Sequence, residues 1–254
     1  SEAAAGLATV HRTTRIAGRT LLQRAVPTTF GLKAANWMLG LDRAADRLAE
    51  IRRVGLAVQL GGVAGTRAGY GGHGQRIAEG MADRLGLTVP VAPWHTERTR
   101  IGDLASGLGV AAGAVAKPAR DVILLAQTEI AEVEEGVPGR GGSSALPDKH
   151  NPVAAVSAVA CAQRSHGLVA TLFATMVQEH ERGAGNWQAE WVPLRQLFVT
   201  VDSAAAWLRD SLEHPRIRPA ARARNLGPDP SPDLGDAVAL VDAALLEHRA
   251  RGSR

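Results

Sequence analysis

The chain has 254 residues, 45% of them hydrophobic but only 4% aromatic, and carries a net charge of +4. That length buries a sizeable core in one large domain or two small ones, and an apolar content of mostly Ala, Leu and Val suits close helix packing rather than an aromatic-filled β-sandwich. No stretch reaches the ~18 apolar residues of a membrane span, nothing at the start reads as a secretion signal, and arginines interleaved with acids, as over Arg43–Arg53, describe solvated helix faces rather than a nucleic-acid surface.

In chain order, Phe30 to Gln59 lacks proline, and its apolar residues recur every two to four positions, which predicts a helix of about 45 Å. Gly61-Gly62, Gly71-Gly72 and Pro90 to Pro93 mark joints. Leu104 to Glu135 predicts a second helix, kinked or broken at Pro118. Val153 to about Glu181 predicts a third, carrying the single cysteine, Cys161, which cannot form an internal disulfide and is expected buried and inert. Trp191 to Leu212 predicts a fourth. Beyond Pro215 the prolines at 219, 228, 230 and 232 suggest a linker over Arg216–Asp233, followed by a short amphipathic helix over Leu234–Arg251. The pattern gives an all-α protein, an elongated long-helix bundle, with no convincing β-alternation. Its expected domains are a central bundle over 1–213, with a functional loop at 139–152, and a shortened C-terminal segment over 214–254.

That loop, Gly139 to Pro152, reads GRGGSSALPDKHNP. It is glycine-rich and ends in a helix start, with Asn151 suited to the N-cap and Pro152 to the first helical position. The free N–H groups of a first helical turn favour an anion, and Lys149 adds a positive charge. Ser143 and Ser144 place two hydroxyls just upstream. On residue types alone an ordinary surface loop and an anion-binding loop both stay open.

The string resembles the GSSxMPxKxNP loop of the fumarase/aspartase superfamily at Gly142, Ser143, Ser144, Pro147, Lys149, Asn151 and Pro152. Leu146 replaces the usual methionine, and Asp148 departs from a more common histidine. Gly18-Arg19-Thr20-Leu21-Leu22-Gln23 resembles that superfamily's GRTHxQ segment, with Leu21 where most lyases carry a histidine. Gln178 to Arg182 and Trp187 to Trp191 resemble the QEHER…GWxAEW stretch of the 3-carboxy-cis,cis-muconate cycloisomerase branch. Pro93-Trp94-His95-Thr96, with Arg98 beyond, is similar to that branch too.

The resemblance implies a homotetramer whose sites are shared between subunits. It implies Ser143 as catalytic base with Ser144 beside it. It implies substrate contacts from Lys149 and Asn151, and substrate or loop positioning by Arg19, Thr20, Gln23, His95 and Arg98, while the Arg182 guanidinium suits a bidentate bond to one of the substrate's carboxylates. Read without it, Arg19 and Gln23 suit helix bridging, a histidine such as His180 among acids suits an ion pair, and Trp187 and Trp191 suit packing.

The implied reaction is lactonisation of 3-carboxy-cis,cis-muconate, a small tricarboxylate, to 4-carboxymuconolactone in protocatechuate breakdown by the β-ketoadipate route. No metal or organic cofactor is implied, and the cytoplasm is expected. An adenylosuccinate-type lyase releasing fumarate, or an inactive helical assembly module, are the alternatives. The resemblance also implies an N-terminal domain upstream of residues matched here.

Overall fold

The computed structural model describes residues 1–147, 149–228 and 231–251. The chain is mainly helical: α1 Glu2–Val10, α2 Phe30–Glu50, α3 Gly74–Leu85, α4 Thr99–Leu125, α5 Val153–Ala174, α6 Asn186–Glu213, α7 Pro219–Leu226 and α8 Ala237–Arg251. Two short antiparallel pairs accompany them, β1 Arg15–Thr20 with β2 Gln23–Thr29, and β3 Val133–Glu135 with β4 Pro215–Ile217. Two compact units emerge, one of residues 1–43, 113–162 and 203–254, the other of 44–112 and 163–202.

In the first unit the β1–β2 hairpin turns through Leu21 and Leu22, both in left-handed backbone (φ 50° and 64°). Such mirror-image turns normally take Asn-Gly, so Leu21-Leu22 carries no turn signal, and the hairpin interrupts an otherwise helical pattern. Thr29 is fully buried, and its hydroxyl accepts the Leu32 N–H at 3.0 Å, capping α2. Edge-on rings of His11, Phe30 and Trp37 fill the core beneath, with centroids 5.2 and 5.7 Å apart. Helix α8 buries Ala237, Val241, Ala244 and Leu245 and packs on α1 and β2. His248 Nδ1 lies 2.8 Å from Asp42, and its Nε2 lies 3.0 Å from Glu2. The Pro-rich stretch after Pro215 holds β4 and α7, because Pro219 takes the first helical position, where its missing N–H costs nothing. Pro230 lies outside the described residues.

In the second unit α2 does not run to Gln59 as its periodicity predicts. It passes into a π-helical turn over Ile51–Gly55 and ends with Leu56 extended. The chain then bridges Ala57 to Thr88, and Val58 packs with Ala78 and Ala82 of α3. Helix α4 starts before the predicted Leu104 and stops at Leu125, running through Pro118 without ending there. The Gly/Ala-rich part of α4 is dictated by packing: a Cβ on Gly107 would sit 2.4 Å from the Ile51 side chain. Helix α5 ends at Ala174, seven residues short of Glu181, and α6 begins at Asn186 with Pro193 in its interior. Cys161 is half-buried rather than buried.

Candidate active site

Strand β3 delivers the chain to the glycine-rich loop. Gly136 N–H donates to the His214 carbonyl at 2.7 Å, fixing the loop's start beside β4. The neck closes further on: the Gly141 carbonyl accepts both the Asn151 backbone N–H at 2.8 Å and the Asn151 side-chain amide at 2.9 Å. Gly141 has φ +83°, and a Cβ there would lie 2.4 Å from the Asn151 carbonyl oxygen, so the pinch requires glycine. Asn151 thus ties the loop's two ends together instead of capping α5 with its side chain.

Between these ends the Ser143 hydroxyl accepts the Leu146 N–H at 3.2 Å, and Lys149 N–H donates to the Leu146 carbonyl at 3.0 Å. Ser143 is half-buried, whereas Ser144 and Lys149 are exposed. Asp148 lies outside the described residues. A cavity of about 300 Å³ opens beside the loop, lined by Glu134, Glu135, Arg140, His150 and Arg216 among others. Neither serine nor Lys149 lines it.

The amide cap expected to receive an anion already holds one. Glu135 accepts the Ala154 N–H at 3.0 Å and the Ala155 N–H at 2.9 Å. A carboxylate there satisfies two otherwise orphan donors and meets the positive end of the α5 dipole. Arg140, in the loop itself, pairs with Asp210 and stands 3.8 Å from Glu135. Neither residue carries a local signature: periodicity places Glu135 at the end of a helix, and its cap reaches across 19 positions.

On the hairpin, Arg19 sends two parallel N–H bonds, of 3.0 and 2.8 Å, to Glu132, which is 1% exposed. Asn225 adds a third donor to that carboxylate at 2.9 Å. The Arg19 guanidinium is therefore committed to a buried bidentate pair. Thr20 and Gln23 face each other across the turn and are exposed.

His95, Arg98 and Arg182 fall in the second unit and gather around tryptophans there. Arg98, 7% exposed, forms a two-bond pair with Glu190, 3% exposed, and donates to the His95 carbonyl at 3.1 Å. Its guanidinium also lies 5.1 Å over Trp94. The His95 ring meets Trp187 edge-on at 4.6 Å, and its Nε2 is buried with no hydrogen-bond partner among the described residues. Burial pushes the His95 pKa below its ordinary value, Arg182 and Arg98 push it further down, and Glu190 opposes them. Arg182 is exposed, lies 5.2 Å over Trp187 and donates to the Gly62 carbonyl at 3.2 Å. Trp187 and Trp191, expected to share a helix face, touch edge-on at 5.2 Å. This arrangement offers a neutral imidazole and a stacked guanidinium side by side, a pairing suited to a carboxylate.

A lyase family model matches residues 2–164. The chain belongs to that lyase family. It is 49% identical over 223 residues, 87% of this chain and 49% of the relative, to a 3-carboxy-cis,cis-muconate cycloisomerase of Bradyrhizobium diazoefficiens. A nitrosuccinate lyase of Streptomyces davaonensis is 45% identical over 208 residues, 78% of this chain and 44% of that one. The solved 3-carboxy-cis,cis-muconate lactonizing enzyme of Pseudomonas putida superposes with a TM-score of 0.90 at 34% identity, covering 98% of this chain and 70% of that one. The chain spans about half the length of these curated relatives. The lyase fold read from the loop and hairpin motifs is therefore the fold present, and the resemblance to the cycloisomerase branch agrees with the relatives' names. Among the described residues no group of three or more His, Cys, Asp or Glu is placed to hold a metal ion, and no helix is long and apolar enough to cross a membrane.

Proposed function

We propose that this lyase-family protein lactonises 3-carboxy-cis,cis-muconate to 4-carboxymuconolactone. One substrate carboxylate adds to the double bond conjugated with a second carboxylate, forming a C–O bond and leaving a doubly negative aci-carboxylate. A proton then goes to the carbon beside that carboxylate. In reverse, the same carbon loses its proton and the C–O bond breaks. The observation that carries this reading is the loop pinched at Gly141 and Asn151, which presents the Ser143 and Ser144 hydroxyls on the same short strap as the Lys149 ammonium.

Ser143 is the group that moves the proton, with Ser144 beside it. A serine alkoxide needs nearby positive charge and N–H donors. Glu135 occupies the first-turn amides of α5, so in this reading Lys149 supplies most of that charge. Asn151 sets the strap's shape. Arg182 and neutral His95 hold a substrate carboxylate, Arg98 positions His95 from its buried pair with Glu190, and Arg19, Thr20 and Gln23 position the hairpin. The substrate's three carboxylates suit so cationic a set of contacts. The working assembly in this reading is a homotetramer with shared sites, placed in the cytoplasm.

Loss of the substrate's ultraviolet absorbance with lactone as sole product is the expected result. The relative named as a nitrosuccinate lyase supplies the competing outcome. Release of fumarate from a substituted succinate, with 3-carboxymuconate untouched, overturns the proposal in favour of β-elimination.

A further inference from the structure

Only three of the 29 basic residues are lysines. Lys149 lies on the loop; the other two, Lys33 of α2 and Lys117 of α4, line one cavity of about 320 Å³ in the first unit. Thr28, Asn36, Trp37 and Asp121 share its wall. Asp121 is already spoken for: the Lys117 ammonium stands 2.6 Å from both its oxygens, and the Trp37 indole N–H donates to it at 2.7 Å.

Lys33 has no such partner. Among the described residues no carboxylate comes within ion-pair distance of it. Burial lowers its pKa; Asp121 opposes that fall, Lys117 and Arg19 add to it, and Glu132 opposes it more weakly. A half-buried ammonium beside further cations gains more from an entering anion than an exposed one does. The choice of residue points the same way. In a chain that otherwise uses arginine, the charge here sits on a compact ammonium whose pKa responds to burial, as a guanidinium's does not. Neutral donors stand ready too: the Asn36 amide spends one N–H on the Leu32 carbonyl at 3.1 Å and keeps a second, and Thr28 brings a hydroxyl. The volume falls at the small end of ordinary ligand pockets, ~300–1,000 Å³.

We propose that this cavity binds a small organic mono- or dicarboxylate, with Lys33 as its ion-pair partner and Asn36 and Thr28 as hydrogen-bond donors. None of its lining residues belongs to the candidate active site, so the proposal stands independently of the lactonisation reading.

Trace acylation of the full chain with acetic anhydride, followed by peptide mass mapping, reads Lys33 separately from Lys117 and Lys149. Succinate should slow acylation of Lys33 at least fivefold relative to sodium chloride of equal ionic strength, while neutral succinamide leaves it unchanged. Equal slowing by chloride, equal slowing by succinamide, or no slowing at all overturns the proposal. The wild-type chain suffices, so no variant's folding enters the result.

Discussion

Replacing Glu135 by alanine removes the carboxylate that links β3 to the start of α5. Two N–H donors, at 3.0 and 2.9 Å, lose their acceptor, and the positive end of the helix loses its counter-charge. A lost side-chain cap costs ~1 kcal/mol, and a partly buried charge at a helix end contributes up to ~2 kcal/mol. The carboxylate is 5% exposed, so relief of its desolvation returns part of this. The net destabilisation expected is about 2 kcal/mol. For a chain of this size that lowers Tm by roughly 4–8 °C, measured as loss of helical circular dichroism on heating. Glu135→Gln keeps one acceptor oxygen and should lose about half as much. Because α5 begins directly after the loop, turnover should fall in both variants. A Glu135→Ala protein whose Tm moves by less than about 1 °C would refute the cap as an energetic element.

Glu190→Gln leaves the Arg98 guanidinium buried without its counter-charge and should destabilise by about 3 kcal/mol, read from the urea midpoint. The folded-state pKa of His95 lies below its ordinary 6.5, so the unfolded chain takes up that proton first. Stability should therefore hold above about pH 6.5 and fall below it, and His95→Gln should reduce the difference between urea midpoints at pH 7.5 and 5.5. Leu21→Asn with Leu22→Gly relieves left-handed backbone at both positions and should raise stability by about 1 kcal/mol. If the hairpin tip positions substrate, turnover falls in the same variant despite the added stability.

The long helices were readable because burial imposes its period on α2, α4, α5 and α6, and the loop was readable because its residue types sit at fixed spacing. Ends were harder. Nothing local in Phe30–Gln59 announces that Leu56 will find Thr88 and leave the helix, and Pro118 and Pro193 are tolerated where a lone helix would break. The hairpin was hidden by a turn made of two leucines. The cluster around Arg98 was legible as residues but not as chemistry: its partner Glu190 lies 92 positions away, and only that pairing shows which guanidinium is occupied. Arg19 repeats the lesson through Glu132, and Glu135 through the α5 amides.

In the proposed reaction Ser143 moves a proton at the carbon beside a carboxylate. Turnover of 3-carboxymuconate in D2O, followed by NMR of the lactone, follows that proton. The wild-type protein should place one solvent deuteron on that carbon, and Ser143→Ala should slow the reaction by 10²–10⁴-fold, the usual worth of a positioned base, with helix content unchanged. A Ser143→Ala protein that still deuterates the lactone within about tenfold of the wild-type rate, ~1.4 kcal/mol of barrier, would contradict it.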